Sequence, residues 1–250
     1  MKNFRFVLLL ALSCCFSLSQ AQDLQKIEKE KLKLELFEEE PFHTPLSEKY
    51  TGKVVFSKEE LTRELPESKY INTYTLGDKL SIRAYFEHSV ANSMLIQLVE
   101  SGKKAKEVNQ NKSWFKTKSK YLIFLYLDGN EIAGTSYAED FSEESMTSFL
   151  SLRADLNDGT EKIFFGESLY KALLLKQDVL TPGKHKLRFE FVPIKTWSYG
   201  SDFKYQPIAV GEIDMIVPKE IKLNTTDCFP QKVLDYPKLE QEALKATKVL

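Results

Sequence analysis

Aromatic and polar side chains crowd one short segment, residues 195–205, which lies between two stretches with strand-like patterns. Aromatic rings offer apolar faces, while hydroxyl, carboxylate and ammonium groups beside them form hydrogen bonds, a combination that suits a sugar or a peptide. Loops that join strands commonly carry binding residues. The segment therefore predicts a ligand-binding loop, and the alternative is a long hairpin whose aromatic rings cap the core. The predicted ligand-binding residues are Trp197, Tyr199, Asp202, Phe203 and Tyr205.

A second group of oxygen-bearing side chains lies beside a glycine turn. Asp155, Asn157 and Asp158 precede Gly159, and oxygen atoms are the ligands that Ca²⁺ prefers. The spacing departs from that of an EF-hand loop and lacks its closing glutamate. An ordinary β-turn is therefore the favoured interpretation, calcium is a weak alternative, and no other metal or cofactor is predicted.

The other reactive residue types form no catalytic pattern. The histidines, at 43, 88 and 185, are scattered, and the zinc-protease, P-loop, dinucleotide-binding and serine-hydrolase motifs are missing from the sequence. The 36 acidic residues offer many accidental carboxylate pairs, any of which could suit glycoside hydrolysis. We therefore expect a protein that is not an enzyme, and we keep a hydrolase with an unrecognised carboxylate site as the second alternative.

The N-terminus carries the features of an export signal. Lys2 and Arg5 precede an apolar run at 6–12, and Ser19-Gln20-Ala21 fits a small-residue cleavage site. The run is shorter than the roughly 20 residues that a membrane-spanning helix needs. We predict a signal peptide at 1–21 and an exported mature chain, periplasmic or extracellular, with no transmembrane segment.

Two cysteines within this signal leave a second interpretation open. The residues before Cys14 and before Cys15 both resemble a bacterial lipobox, whose cysteine is lipidated and becomes the first residue. Attached lipid chains would tether the protein stably to a membrane. In that case the protein would be an outer-membrane-anchored lipoprotein. With ordinary cleavage, Cys228 alone remains, so no internal disulfide is expected.

The charge balance excludes one class of partner. Loss of Lys2 and Arg5 with the signal leaves 33 basic residues against 36 acidic ones. Nucleic-acid binders need a surplus of basic residues to displace counterions, so no nucleic-acid partner is expected. The 42% hydrophobic content is ample for a packed core.

Strand patterns dominate the body of the chain. Residues 79–87 alternate between apolar and polar side chains, which is typical of a half-buried antiparallel strand. Residues 121–134 predict a hairpin around Asp128-Gly129, whose first strand is apolar on both faces and is therefore expected to be covered on both. Further strands are predicted at 52–57, 93–99, 146–156, 185–192 and 209–217.

Other stretches carry weaker signals. Residues 22–49 form a charged lead-in, interpreted as a solvated stalk or loosely held edge with hints of a short strand or a helix. Residues 101–120 are interpreted as a connection rich in Lys and Asn. Residues 167–176 fit a short helix or a strand, and a final helix is predicted from Asp235.

Seven or eight short strands with turn residues between them predict an all-β fold, a single antiparallel β-sandwich that is jelly-roll-like with a C-terminal α-helix. The predicted sandwich domain covers 50–220, and a C-terminal extension with the helix covers 221–250. We find no sign of a domain boundary within 50–220.

Strand patterns at 183–193 and 208–218 are followed by a helical pattern at 237–246. Through these patterns the C-terminal third resembles the major surface lipoprotein family of spirochaetes. It implies a jelly-roll sandwich, surface exposure, and binding of calcium and host matrix proteins. This sequence has no matching run of consecutive aspartates, so no residue is carried over from that family.

Together these features predict an exported, non-catalytic cell-envelope or secreted protein that binds a glycan or a protein through the loop around Trp197. The first alternative is a structural subunit of an envelope assembly or a surface lipoprotein, which would use exposed strand edges and its two termini.

Overall fold

The Asp128-Gly129 pair forms the hairpin turn that its residue types predict. In the computed structural model both residues have positive φ angles, 49° and 84°, as a tight turn between twisted strands requires. The turn joins two antiparallel strands, so the hairpin is confirmed. The structure describes residues 25–32, 44–63, 65–136, 143–157, 167–176, 179–195 and 203–219.

Six α-helices, one short 3-10 helix (Glu67–Lys69) and eight strands lie in the described residues. The helices are α1 (25–30), α2 (Pro45–Lys49), α3 (Val90–Glu100), α4 (Ala105–Lys118), α5 (Glu143–Ser148) and α6 (Glu167–Leu175). The strands are β1 (Val54–Ser57), β2 (Thr73–Thr75), β3 (Leu80–Tyr85), β4 (Ser119–Leu127), β5 (Asn130–Ser136), β6 (Ser151–Asn157), β7 (Gly183–Lys195) and β8 (Ala209–Val217).

The strands form two sheets. The larger sheet has the order β2-β8-β7-β4-β5, and the smaller has the order β1-β3-β6. All neighbouring strands are antiparallel except β2 and β8, which pair in parallel. The predicted strand-rich, mainly antiparallel architecture is thus found, and the parallel pair corrects the expectation of a purely antiparallel fold.

The inner faces of the two sheets meet in one apolar core. Phe56 of β1 lies with its ring centroid 5.7 Å from that of Phe189 in β7, and the rings of Phe86 and Phe191 are 6.0 Å apart. At Gly211 in β8 a Cβ atom would lie 2.5 Å from the carbonyl oxygen of the residue at 54. Glycine there permits β8 and the start of β1 to approach each other closely.

Helices α3 and α4 lie where a strand and a connection were predicted. The run at 93–99, counted as a strand, lies in α3, and most of the connection at 101–120 is α4. The hydroxyl of Ser89 caps α3 by accepting from the backbone N–H of Asn92. The buried apolar side chains of α3 recur with the helical period of three and four residues, which the interpretation as a short strand missed. They are Val90, Ala91, Met94, Leu95, Leu98 and Val99.

The all-β description is therefore too narrow for this chain. Helix α3 packs against β4 and β7 and against α4, so it belongs to the same core as the sheets. The strand predicted at 146–156 begins only at Ser151, because α5 occupies its first part. At 167–175 the helical alternative is confirmed as α6.

Strand β3 is more deeply buried than its alternating pattern predicts. Its apolar side chains lie in the main core, yet Ser81, Arg83 and Tyr85 on the opposite face are buried too. On this face Tyr85 belongs to a second apolar cluster, which also contains Val55 and Leu61 and against which Leu46, Tyr50, Leu65 and Tyr70 pack. Arg83 donates from Nε and Nη2 to the Leu61 carbonyl at 2.8 and 2.6 Å, and burial lowers the pKa of its guanidinium.

The lead-in is packed on the body of the protein in its described part, which corrects the interpretation as a solvated stalk for these residues. The Glu28 carboxylate accepts from the Ala105 backbone N–H at 2.9 Å and so caps α4. The hydrogen bond from Lys31 and then that from Ala105 lower the pKa of Glu28. Leu32 is buried in the main core.

Several expectations lie outside the described residues. They are the signal peptide at 1–21 with Cys14 and Cys15, Cys228, and the helix predicted from Asp235.

Candidate functional site

The described end of the predicted binding loop lies on the core. Phe203 and Tyr205 meet edge to face with ring centroids 4.8 Å apart, and Tyr205 is only 8% exposed. This arrangement matches the alternative in which the aromatic rings cap the core. Trp197, Tyr199 and Asp202 lie outside the described residues, so a binding role for the loop stays a prediction.

The described members of the weak calcium candidate are engaged by neighbouring residues. Asp155 pairs with Arg153 at 3.2 Å, and the Asn157 side chain donates to the Asp78 carbonyl at 2.9 Å. Asp158 lies outside the described residues. Among the residues that the structure describes, no group of three or more metal-ligating side chains occurs.

The outer face of the larger sheet carries a cluster of aromatic and charged side chains. Even-numbered residues of β4 point away from the core, and there Phe124 and Tyr126 are half-buried. In the neighbouring strand β7, Glu190 stands opposite Phe124 and Arg188 stands opposite Tyr126. These four residues are called the aromatic face below.

The polar groups of the aromatic face are organised around Glu190. Its carboxylate accepts a hydrogen bond from the Tyr126 hydroxyl at 3.2 Å. It also forms an ion pair with Arg188, with 2.5 Å between Nη2 and Oε1. The guanidinium carbon of Arg188 lies 6.0 Å from the Tyr126 ring centroid. Partial burial raises the pKa of Tyr126, and the negative Glu190 raises it further, so the phenol stays protonated at neutral pH and acts as a donor.

A glycine shapes the apolar half of this face. Gly134 in β5 stands opposite Phe124, and a Cβ at position 134 would lie 2.8 Å from Cε1 of the Phe124 ring. Without a side chain at 134, the ring lies over the backbone of β5. The Phe124 and Tyr126 ring centroids are 6.5 Å apart with planes inclined by 39°, which gives a shallow, tilted aromatic surface.

Sequence reasoning missed the aromatic face. The run at 121–127 is apolar at nearly every position, so the sequence predicted cover on both sides. The structure buries the odd-numbered residues and leaves the even-numbered ones half-exposed, which corrects that prediction. The available signals were the tyrosine at 126, the charges at 188 and 190, and the glycine within a strand at 134.

A groove of ≈ 410 Å³ runs along α3 and is called the α3 groove. Its volume falls in the range of about 300–1,000 Å³ typical of small-molecule sites. Lys29 of α1 pairs with Glu100 across it. Its other wall is held by Gln97, which donates to the Gln206 carbonyl at 3.1 Å and accepts from its N–H at 2.7 Å. Glu87, His88, Ser93, Ile96, Pro207 and Ile208 complete the lining.

Two carboxylates, Glu87 and Glu100, and the imidazole of His88 belong to the lining of the α3 groove. The Glu100 carboxylate is ion-paired with Lys29, and a Glu87 carboxylate oxygen lies 3.9 Å from Nε2 of His88.

No family model and no curated protein matches the chain. The fold therefore defines the class of protein: a strand-rich chain with two sheets and helices packed into the same core. Within the described residues, no helix is both long enough and apolar enough to cross a membrane.

Proposed function

We propose that this is an exported, non-catalytic binding protein whose aromatic face binds a glycan. The observation that carries the proposal is the placement of Phe124 and Tyr126 beside the Arg188–Glu190 pair on adjacent strands of one sheet. A sugar ring presents apolar C–H faces and a rim of hydroxyl groups. The two aromatic rings can pack against the C–H faces, and the carboxylate and guanidinium can hydrogen-bond to the hydroxyl groups.

The position of these groups on strands favours binding without rearrangement. Phe124 and Tyr126 lie on β4, which is hydrogen-bonded to a strand on each side. Side chains held by a sheet lose less conformational freedom on binding than side chains of a mobile loop. A shallow surface of this kind fits one or a few sugar units lying flat, whereas a deep pocket would enclose a small ligand.

We also infer that the two facing sheets form a jelly-roll-like sandwich and that the mature chain begins at Gln22. The aromatic contacts between the sheets support the first inference. The basic, apolar and small-residue pattern of 1–21 supports the second.

A glycan array probed with the mature chain, followed by calorimetry with the best ligand, tests the binding proposal. The variant Phe124→Ala/Tyr126→Ala should weaken binding at least tenfold. Trp114→Ala serves as the matched control, because it removes an exposed aromatic ring that belongs to α4 and not to the aromatic face. The control should bind as the unchanged protein does.

A second variant separates the aromatic face from the predicted loop. Loss of binding in Trp197→Ala/Tyr199→Ala, with full binding in the Phe124→Ala/Tyr126→Ala variant, would move the site to the loop. If the unchanged protein binds no glycan at all, the glycan proposal is wrong, and the envelope-subunit alternative becomes the better hypothesis.

A further inference from the structure

Positive charge is concentrated in one stretch of the chain. Residues 103–120 contain seven lysines and one acidic residue, although the whole chain has a formal net charge of -1. Most of this stretch is α4. The single acidic residue of the stretch, Glu107, has a carboxylate oxygen 3.8 Å from the Lys103 ammonium. Seven lysines against one glutamate give the stretch a formal charge of +6.

Helix α4 has one side in the core and another side in solvent. Ala105, Val108 and Phe115 are fully buried, whereas Trp114 is 52% exposed. The exposed side chains around the indole recur at spacings of three and four residues, so they share one face of the helix. They are Glu107, Gln110, Trp114 and Thr117; Lys106 and Ser113 are exposed beside them, and Lys104 is exposed just before the helix.

The rest of the protein holds this helix in place. Glu28 of α1 caps its first turn at Ala105, and the Asn109 side chain donates to the Lys31 carbonyl at 3.0 Å. The apolar contacts of Val108 and Phe115 anchor the helix on the main core. The exposed tryptophan is therefore presented on a preformed surface.

From this arrangement we propose that the exposed face of α4 docks on the surface of an anionic phospholipid bilayer. Tryptophan prefers the headgroup level of a bilayer, where its ring is among apolar chains and its N–H meets water and polar groups. Lysine side chains extend apolar stems along such a surface while their ammonium groups stay near the phosphates. Lysine-rich segments near a bilayer surface are attracted to anionic lipids, and one exposed tryptophan adds contact at the headgroup level.

This docking surface is separate from the aromatic face and does not depend on glycan binding. Trp114 lies in α4, whereas Phe124 and Tyr126 project from β4 on the outer side of the sheet. Both surfaces belong to the same folded body, so a protein bound through α4 to a membrane could still present its aromatic face. The two proposals can therefore fail independently.

The test uses the mature full-length chain carrying Trp197→Phe, which leaves Trp114 as the only tryptophan of the two in the sequence. The protein is mixed with vesicles of phosphatidylglycerol and phosphatidylcholine in equal parts, or of phosphatidylcholine alone. We expect a blue shift of Trp114 emission and co-sedimentation with the anionic vesicles only. About 1 M salt should abolish both, because the screening length there falls to about 3 Å.

Matched charge reversals show whether α4 itself is responsible. Lys104→Glu/Lys106→Glu should reduce vesicle binding at least tenfold, and Trp114→Ala should reduce it several-fold. The control Lys184→Glu/Lys204→Glu makes the same change in net charge at two exposed lysines outside α4, and it should bind normally. Circular dichroism spectra should be unchanged in all variants.

Four results would overturn the proposal: no blue shift with anionic vesicles, equal binding to neutral vesicles, an equal loss in the control, or displacement by millimolar inorganic phosphate. The last result would indicate a site for a free phosphate group in place of a bilayer surface.

Discussion

The two faces of the larger sheet carry similar side chains from the same strands, but the side chains are buried on one face and partly exposed on the other. In β4, Tyr121 and Ile123 on the inner face are fully buried, while Phe124 and Tyr126 on the outer face are half-exposed. The inner face packs against the smaller sheet and α3. On the outer face, the contacts that organise the aromatic rings are an ion pair and a glycine.

This difference shows that hydrophobicity along a strand does not decide which residues form the core. Successive side chains of a strand point to opposite faces of the sheet. The face that packs against another layer of the fold becomes the buried one. Apolar residues on the exposed face, when they lie beside paired charges, are candidates for ligand contact.

The largest expected effect is the loss of stability when one aromatic residue is removed from the inner face, compared with the same change on the outer face. Phe189→Ala should lower the free energy of unfolding by about 3–5 kcal/mol, because it leaves a cavity between the two sheets. Phe124→Ala should cost about 1 kcal/mol, because only part of its ring is removed from water. Urea unfolding followed by circular dichroism measures both. Equal losses would mean that the outer face is packed as tightly as the inner one.

Two glycines in the same sheet give the next comparison. Gly211→Ala should cost about 1–3 kcal/mol, because its new Cβ meets the backbone of β1 and the strands must separate. Gly134→Ala meets only the Phe124 ring, which can turn away, so stability should change by less than about 1 kcal/mol. Glycan binding should nevertheless weaken in Gly134→Ala. A stability loss in Gly134→Ala as large as that in Gly211→Ala would contradict this reading.

The smallest effect concerns a charged pair at the end of β7. The His185 Nδ1 and an Asp128 carboxylate oxygen are 2.7 Å apart, and His185 Nε2 lies 2.7 Å from the Thr181 carbonyl. Both ring nitrogens have acceptors, as a protonated imidazole requires. Partial burial lowers the pKa of His185, but the hydrogen bonds with Asp128 and Thr181 outweigh it, so the net pKa is raised.

The sign of the pH dependence follows from this shift. Because the pKa of His185 is higher in the folded protein than its ordinary value of about 6.5, its stabilisation is complete below that value and fades as the pH rises through the folded pKa. Partial burial raises the pKa of Asp128, but hydrogen bonds from the Lys186 backbone and His185 outweigh it and lower the pKa. The stabilisation that Asp128 contributes is therefore lost as the pH falls into the acid range. The pair should therefore stabilise most between about pH 4 and 6.5.

We expect the stability difference between the unchanged protein and His185→Gln to shrink by less than about 1 kcal/mol from pH 6 to pH 8.5, because solvent screens the half-exposed Asp128. Urea unfolding at both pH values measures it, and the other histidines cancel because both proteins contain them. A difference that stays constant with pH would show that the imidazole is neutral in the folded protein.

Local patterns predicted much of the sheet structure. The strand at 209–217, the alternating residues of β7 and the turn at Asp128-Gly129 were correct, because each depends on side-chain period or turn chemistry within a few residues. The helix α3 was missed because a short apolar run fits both periods. Its cap at Ser89 was the signal that could have decided between them.

The candidate site was less predictable than the strands. The sequence directed attention to the loop around Trp197, since clustered aromatic residues are visible in a linear reading. The aromatic face combines positions 124, 126, 188 and 190, which only the register of β4 against β7 brings together. Arg83 shows the same limit, because its burial and its hydrogen bonds depend on the Leu61 carbonyl, 22 residues away in the sequence.

By itself, the amino-acid sequence determined the strands with strict alternation, the turn between β4 and β5, and the lysine-rich character of 103–120, because these properties lie in consecutive residues. Only the tertiary structure decided which face of β4 became core, that the lysine-rich stretch became a helix with Trp114 outward, and that α1 would cap it. These outcomes depend on which distant layers bury apolar surface and satisfy backbone groups, and no local pattern contains that information.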